Sequence, residues 1–264
     1  MASIQAHMDD SAVLSVELPG TDAPKAVMSL AAAGDMGFGD DGNRSRRNRW
    51  LCEEGFDPDH SAAIDLVHSR MVIEATSLRD VFSAGGIRRE ADGMVTAGRL
   101  SVASGARADE VRVDSLVITV ADCMPIFLYD RGSGAYGLLH SGWKGTGILS
   151  EAVSLMQRLY GTRPADLAAA FGPRIGSCCY VVDEARAAVF SGEFGAAAVV
   201  RAEGKPRLDL VAANMALADS LGLGSVRLLD GCTSCDHAYG SFRRQGAGRF
   251  TRMAAAIGYP VEPV

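Results

Sequence analysis

Three side chains able to bind a soft divalent metal stand at or near the ends of apolar runs in this 264-residue chain. His68 sits in Val67-His68-Ser69, Cys123 in Val120-Ala121-Asp122-Cys123-Met124-Pro125, and His140 in Leu139-His140-Ser141-Gly142-Trp143-Lys144-Gly145. Imidazole and thiolate are preferred zinc donors, and three protein ligands leave a fourth tetrahedral position open, the pattern of a catalytic rather than a structural site. Taken singly, each residue has a plainer reading. A lone histidine is more often a satisfied interior or surface group, and a lone cysteine a small core hydrophobe. The spacing is not that of a zinc finger, so sequence distance alone does not assemble the set. A metal-free alternative uses Cys123 as nucleophile with His140 or His68 as its base.

The elements that must position these residues are legible from periodicity. Val13–Leu18 and Ala26–Leu30 read as strands. Residues 43–55 read as a helix with a charged outer face. Ile64–Ala75, rich in β-branched residues, reads as one strand carrying His68. Leu116–Val120, Pro125–Tyr129 and Tyr136–Leu139 read as three buried strands in quick succession. Residues 147–160 show helical spacing with Gly161 as C-cap, residues 183–190 and 210–221 are further helices, and 166–171 and 226–229 are strands. Helices and strands interleave while some strand runs adjoin one another. That favours an α/β (α+β) architecture with mixed sheets over a purely parallel, doubly wound one. Residues 12–264 are expected to form a single domain after a disordered residue 1–11 segment.

Composition bounds the function classes. Hydrophobic residues are 48% and charged residues 22%, which suits a buried core. The net charge is −6, and the one basic run, Arg44–Arg49, follows Asp40 and Asp41. This argues against a nucleic-acid partner and against an anionic membrane surface. No apolar stretch reaches membrane-spanning length, and no secretory signal is evident, so a cytoplasmic location with reduced thiols is expected. Gly142-Trp143-Lys144-Gly145-Thr146 lacks the glycine spacing of a P-loop. Trp143 is expected to pack in the core rather than to form a base-stacking platform.

The motifs, taken together and in order, run from about residue 48 to 253. They are His68, Asp92-Gly93-Met94-Val95-Thr96, Ala121-Asp122-Cys123, the turn from His140 to Gly145, Gly172-Pro173-Arg174-Ile175-Gly176-Ser177-Cys178-Cys179-Tyr180, Cys232-Thr233, and Ser241-Phe242-Arg243-Arg244 through Gly248-Arg249. This series resembles the laccase-domain (YfiH-like) family, described both as multicopper polyphenol oxidoreductases and as zinc-dependent purine nucleoside phosphorylases. The chain departs from the family pattern at Leu66, Ser141, Lys144 and Phe242, where glutamine, alanine, arginine and tyrosine are usual. Lys144 keeps the charge of an arginine but loses its bidentate fork.

The resemblance implies a sandwich of mixed β-sheets with flanking helices and a Zn2+ held by His68, Cys123 and His140. It also implies phosphorolysis of adenosine, inosine, guanosine or methylthioadenosine, with adenosine deamination as a further activity. Purine nucleoside and phosphate are then the partners. Asp122 is the candidate acid–base group, or else an orienting partner of His140 or His68. Arg49, Lys144, Arg243 and Arg244 are the candidate phosphate ligands. The rivals are a Cu2+-dependent polyphenol oxidase, the cysteine hydrolase, and a peptidoglycan-editing or non-catalytic protein. The copper reading is weakened because five histidines are few for a multicopper enzyme, and only His68, His140 and His237 stand in suggestive places. Cys178, Cys179, Cys232 and Cys235 allow a second, four-thiol zinc site. The resemblance accounts for the first three without a metal, so Cys178 and Cys179 are expected to be unbridged and to serve packing beside Tyr180.

Overall fold

A computed structural model describes residues 12–82, 87–97 and 112–261; the 1–11 segment lies outside them. The strands are β1 (Val13–Val16), β2 (Lys25–Ser29), β3 (Ser61–Ala63), β4 (Val72–Glu74), β5 (Gly93–Thr96), β6 (Ser115–Val120), β7 (Met124–Asp130), β8 (Tyr136–Ser141), β9 (Leu167–Phe171), β10 (Val199–Ala202), β11 (Lys205–Leu208), β12 (Ser225–Leu228) and β13 (Met253–Gly258). The helices are α1 (Asp41–Glu53), α2 (Leu78–Val81), α3 (Ile148–Tyr160), α4 (Glu184–Phe194), α5 (Leu210–Leu221) and α6 (Phe242–Gln245). A five-stranded sheet runs β1-β2-β13-β6-β3, a six-stranded sheet runs β12-β9-β7-β8-β5-β4, and β10 pairs with β11 as a hairpin. Both larger sheets mix directions: β3 is parallel to β6 and β4 to β5, while β7 and β8 are antiparallel. None of the described helices is long and apolar enough to cross a membrane.

The alternation of side chains along each strand builds the layers. Leu116 and Ile118 of β6 join one buried cluster with Phe127, Tyr129, Tyr136 and Leu138 from the other sheet, so the two sheets face each other across it. Val117, on the opposite face of β6, packs with Trp50 and Leu51 of α1. Ile126 and Leu128, on the opposite face of β7, pack with Leu149, Val153 and Met156 of α3 and Ala213 of α5. Each central strand is therefore covered on both faces, which is why its sequence is a continuous apolar run.

Helix boundaries follow local chemistry. Asp40, Asp183 and Asp209 each accept a hydrogen bond from the third residue beyond at the starts of α1, α4 and α5, the usual N-cap arrangement. Gly161 and Gly222 end α3 and α5 with φ of 66° and 71°, a conformation glycine adopts without steric cost.

One expected element is corrected. Ile64–Ala75 is not one strand: only β4 lies within it, β3 ends just before it at Ala63, and the two strands belong to different sheets. The link between them contains His68 at φ 58°, and the backbone N–H groups of Val67, His68 and Ser69 all donate to the Asp92 carboxylate rather than to a neighbouring strand. The ligand-type residues thus do not come from three strands. His68 lies on a sheet-to-sheet link, Cys123 on the turn between β6 and β7, and His140 alone lies within a strand. The β10–β11 hairpin and β13 carry weak period-2 signals and are seen only in the folded chain.

Candidate metal centre and pocket

The turn Ala121-Asp122-Cys123 is where the chain leaves β6 of one sheet and enters β7 of the other. Asp122 sits at φ 84° and accepts from the Thr233 hydroxyl (2.7 Å) and from the Arg243 backbone N–H (2.6 Å). Those two bonds hold a strained residue in place. On β8, His140 pairs with Pro125 and Ser141 with Met124, which brings the residue after β8, Gly142, beside Cys123. A Cβ on Gly142 would lie 2.8 Å from the Cys123 sulfur, so this glycine clears space for the thiol.

His68, Cys123 and His140 converge: one ligand atom from each lies within 4.8 Å of the others. The two imidazole rings stand edge to face with centroids 5.0 Å apart. His140 is buried, Cys123 half-buried and His68 exposed. Asp92 orders the whole group. One oxygen accepts from His140 Nδ1 (2.9 Å) and the His68 N–H (2.9 Å), and the other from the Ser69 N–H (2.6 Å) and hydroxyl (2.7 Å). With Nδ1 committed to Asp92, His140 has Nε2 left for a metal, the arrangement that fixes ring orientation in histidine-ligated sites.

Electrostatics tie these groups together. Burial raises the Cys123 thiol pKa, but the charge of His140 and hydrogen bonds from His140 and His68 outweigh it and bring it down to about 6. Burial disfavours charge on His140, yet the Cys123 thiolate and the Asp92 carboxylate hold its pKa well above the ordinary imidazole value. Two imidazoles and one easily ionised thiol suit zinc in donor type and in number.

The set opens into a cavity of about 640 Å³, within the range of small-molecule sites. Its wall includes Phe38, Trp143, Tyr180, Phe242 and Phe250, with Arg186, Arg243 and Arg252 among them. Trp143, expected in the core, does pack against the α3–α5 side of the core, but it also lines the cavity, with the Arg186 guanidinium 4.5 Å from its ring centroid. Burial pushes the Tyr180 phenol up to about 12, so it remains a hydroxyl donor. Leu66 and Phe242, two departures from the family pattern, both line the cavity.

The candidate phosphate ligands divide. Arg243 lines the cavity and donates to the carbonyls of Cys179 (2.9 Å) and Val181 (3.2 Å). Arg244 is corrected to a structural role: its guanidinium donates to the carbonyls of Thr233, Ser234, Asp236 and Tyr239. Arg49 is exposed on α1 and Lys144 is exposed beside Trp143, and neither reaches the cavity wall. From the basic run, it is Arg47 that turns inward, bonded to the carbonyls of Met36 and Gly37 and stacked on Phe38. Asp122 lines the cavity but orients neither histidine; Asp92 does. Asp92 was visible in the sequence as the first residue of Asp92-Gly93-Met94-Val95-Thr96, yet nothing in that motif marks its carboxylate as the partner of residues 24 and 48 positions away. Arg186 and Arg252 had no sequence signal. His60 pairs with Asp114 and His237 is exposed, so neither joins the cluster. Cys179 packs against the core beside Tyr180, while Cys178 is exposed.

Residues 26–260 match a family model described as multi-copper polyphenol oxidoreductase laccase. The chain is 36% identical over 218 residues to a purine nucleoside phosphorylase of Deinococcus radiodurans, covering 81% of this chain and 76% of that protein. It is 34% identical over 152 residues to adenosine deaminase RL5 of an unknown prokaryotic organism, covering 54% of this chain and 58% of that one. The crystal structure of YlmD from Geobacillus stearothermophilus superposes with a TM-score of 0.81 at 25% identity, covering 97% of this chain and 99% of that one.

Proposed function

This chain belongs to the multi-copper polyphenol oxidoreductase laccase family, and on that premise we propose that it is a zinc-dependent purine nucleoside phosphorylase. The observation that carries the reading is one cavity lined at once by His68, Cys123 and His140, by aromatic rings and by arginines. The name of the Deinococcus radiodurans relative agrees with it. His68, Cys123 and His140 would hold the zinc, which would supply Lewis acidity to the bound substrate.

The chain's own groups account for the rest. Phe38, Trp143, Tyr180 and Phe250 offer faces and edges against which a purine packs. Arg243 spends its hydrogen bonds on neutral carbonyls, and Arg186 has Asp183 only at 4.0 Å, so both keep positive charge for an oxyanion. Arg252 is already paired with Asp35 at 2.7 Å and contributes less. In phosphorolysis a phosphate oxygen forms a bond to ribose C1′ while the bond to the purine nitrogen breaks and the base leaves with the electron pair. Arginines that hold and aim the phosphate serve that step, whereas attack by water would need no such cations. Asp122, through Arg243 and Thr233, positions this wall.

Copper also accepts two histidines and a cysteine, but five histidines in the whole chain do not furnish several copper centres. The test incubates purified, zinc-loaded protein with inosine, with and without phosphate. Hypoxanthine and ribose 1-phosphate are expected only with phosphate. Equal hypoxanthine release in both tubes, with free ribose, would leave a hydrolase instead. Arg243→Met should cost about 2–4 kcal/mol of transition-state stabilisation, the scale of one lost oxyanion donor, read as a fall in kcat/KM for phosphate. Adenosine in place of inosine, with inosine as product, reports deamination in the same pocket.

A further inference from the structure

Two loops meet beside Asp122, which accepts from the Ile175 N–H of one (2.9 Å) and the Thr233 hydroxyl of the other (2.7 Å). Residues 174–180 lie along residues 231–236 through a parallel bridge between Arg174 and Cys232 and a 3.0 Å bond from the Thr233 N–H to the Arg174 carbonyl. Their contact gathers four sulfurs, of Cys178, Cys179, Cys232 and Cys235, all within 4.8 Å of one another. We propose that these four thiols bind a second zinc ion, a structural site separate from the His68–Cys123–His140 group and independent of the reaction assigned to it.

The sulfur–sulfur spacings fit those of a four-thiolate zinc site. Zinc–sulfur bonds of about 2.3 Å give sulfur–sulfur edges of about 3.8 Å. Here Cys179 and Cys178 stand 3.3 and 3.6 Å from the Cys235 sulfur, and no edge exceeds 4.8 Å. A disulfide would bring two sulfurs to about 2.05 Å and has no use for the other two. Cys232-x-x-Cys235 has the two-residue spacing of zinc ligand pairs, and it is folded as a tight turn in which the N–H groups of Cys235 and Asp236 both donate to the Cys232 carbonyl. The Gly176 N–H donates to the Cys232 sulfur at 3.2 Å, a bond that favours the thiolate. Gly176 also permits the close approach, since a Cβ there would meet the Cys178 sulfur at 3.2 Å and the Cys232 Cβ at 3.3 Å.

The charge of such a site is offset in part, with Arg207 and Arg174 also paired to Glu203 and Asp230. One Zn2+ and four thiolates carry a net charge of −2, and binding releases four protons. Three guanidinium groups bracket the cluster. Arg207 donates to the Cys178 carbonyl, Arg243 to the Cys179 carbonyl, and the buried Arg174 to the Leu229 carbonyl. Cys178 and Cys235 are exposed, so the ion enters without unfolding. Once bound, it ties the loop bearing the cavity residues Ile175 and Tyr180 to the loop whose Thr233 holds Asp122, which stiffens one wall of the pocket.

The experiment measures zinc per chain after expression with zinc and dialysis under reducing conditions. Wild type should hold two ions, Cys123→Ser one, and Cys178→Ser/Cys235→Ser one. On the wild-type protein, iodoacetamide should label Cys52, which is exposed, with or without a chelator, but label Cys178, Cys179, Cys232 and Cys235 only after chelation. The proposal is overturned if wild type holds a single zinc and those four cysteines react as fast as Cys52 in its presence, or if the intact mass shows them joined as disulfides. Because no readout is enzymatic, an inactive protein that still protects the four thiols would refute the phosphorylase reading and leave this one standing.

Discussion

At the residue scale, the Asp92 carboxylate holds two things that the chain separates widely. It fixes the 67–69 link through three backbone N–H groups and fixes His140 through Nδ1. Burial opposes its ionisation, but the bonds from His140 and Ser69 win and keep its pKa below the ordinary carboxylate value. Asp92→Asn keeps the shape and removes the charge. It should weaken zinc binding by about 10–100-fold, the usual cost of losing a partner behind a metal-bound histidine; a chelator competition measures this, and unchanged affinity would remove Asp92 from the centre. Cys123 gives a second test. Its pKa near 6 lies below that of a free thiol, about 8.5, so the thiolate persists to lower pH. Since the thiolate is the reactive form, alkylation of Cys123 in chelated protein should be half-maximal near pH 6, and zinc should block it. A midpoint at the free-thiol value would mean that no imidazolium pairs with the sulfur.

At the scale of elements, the candidate centre is assembled from two passages between the sheets. The chain crosses once between β3 and β4, carrying His68, and once between β6 and β7, carrying Cys123, and the end of β8 adds His140 between them. At His68 and Asp122 the crossing segments have left the strand ladders, so they can take the positive φ seen there and turn side chains inward. Gly142, just past β8, is the spacer. Gly142→Ala would put a methyl group 2.8 Å from the Cys123 sulfur and 3.9 Å from the His68 ring. The sulfur must move, so zinc affinity should drop while the melting temperature of the chelated protein changes little. If affinity survives, the turn has more room than this geometry allows.

At the scale of the whole molecule, two facing sheets supply rigidity and α3–α5 cover one outer face. Two of the ligands come from links between the sheets and the third from β8, whose apolar residues already pack into both buried clusters, so metal should stabilise the fold by linkage rather than create it. A zinc site held at 100 times its dissociation constant adds about 2.7 kcal/mol, and a chain of this size gains about 2–4 °C per kcal/mol. Calorimetry with and without a chelator should therefore show a rise of about 5–11 °C for each occupied site. A melting temperature indifferent to zinc would mean that the ion is not held by the folded chain.

The sequence by itself determined the layers and the chemistry available to them. Strands covered on both faces had to be unbroken apolar runs, and β6, β7, β8, α3 and α5 emerged close to their observed limits because their signals are local: a short apolar run, helical spacing, a glycine at the end. His68, Cys123 and His140 were recognisable as donors through ordered motifs, and Arg243 as a cation near them. Only the tertiary structure decided which side chains meet. It left only β4 as strand within Ile64–Ala75, because the Asp92 carboxylate captured the N–H groups of residues 67–69 that a longer strand would have used. It turned Arg49 and Lys144 to solvent, used Arg244 up on carbonyls, and brought Arg186 and Arg252 to the cavity. It also drew Cys178 and Cys179 to Cys232 and Cys235, more than fifty residues away. Pairings of that kind depend on where two sheets and their links come together, which periodicity along the chain does not encode.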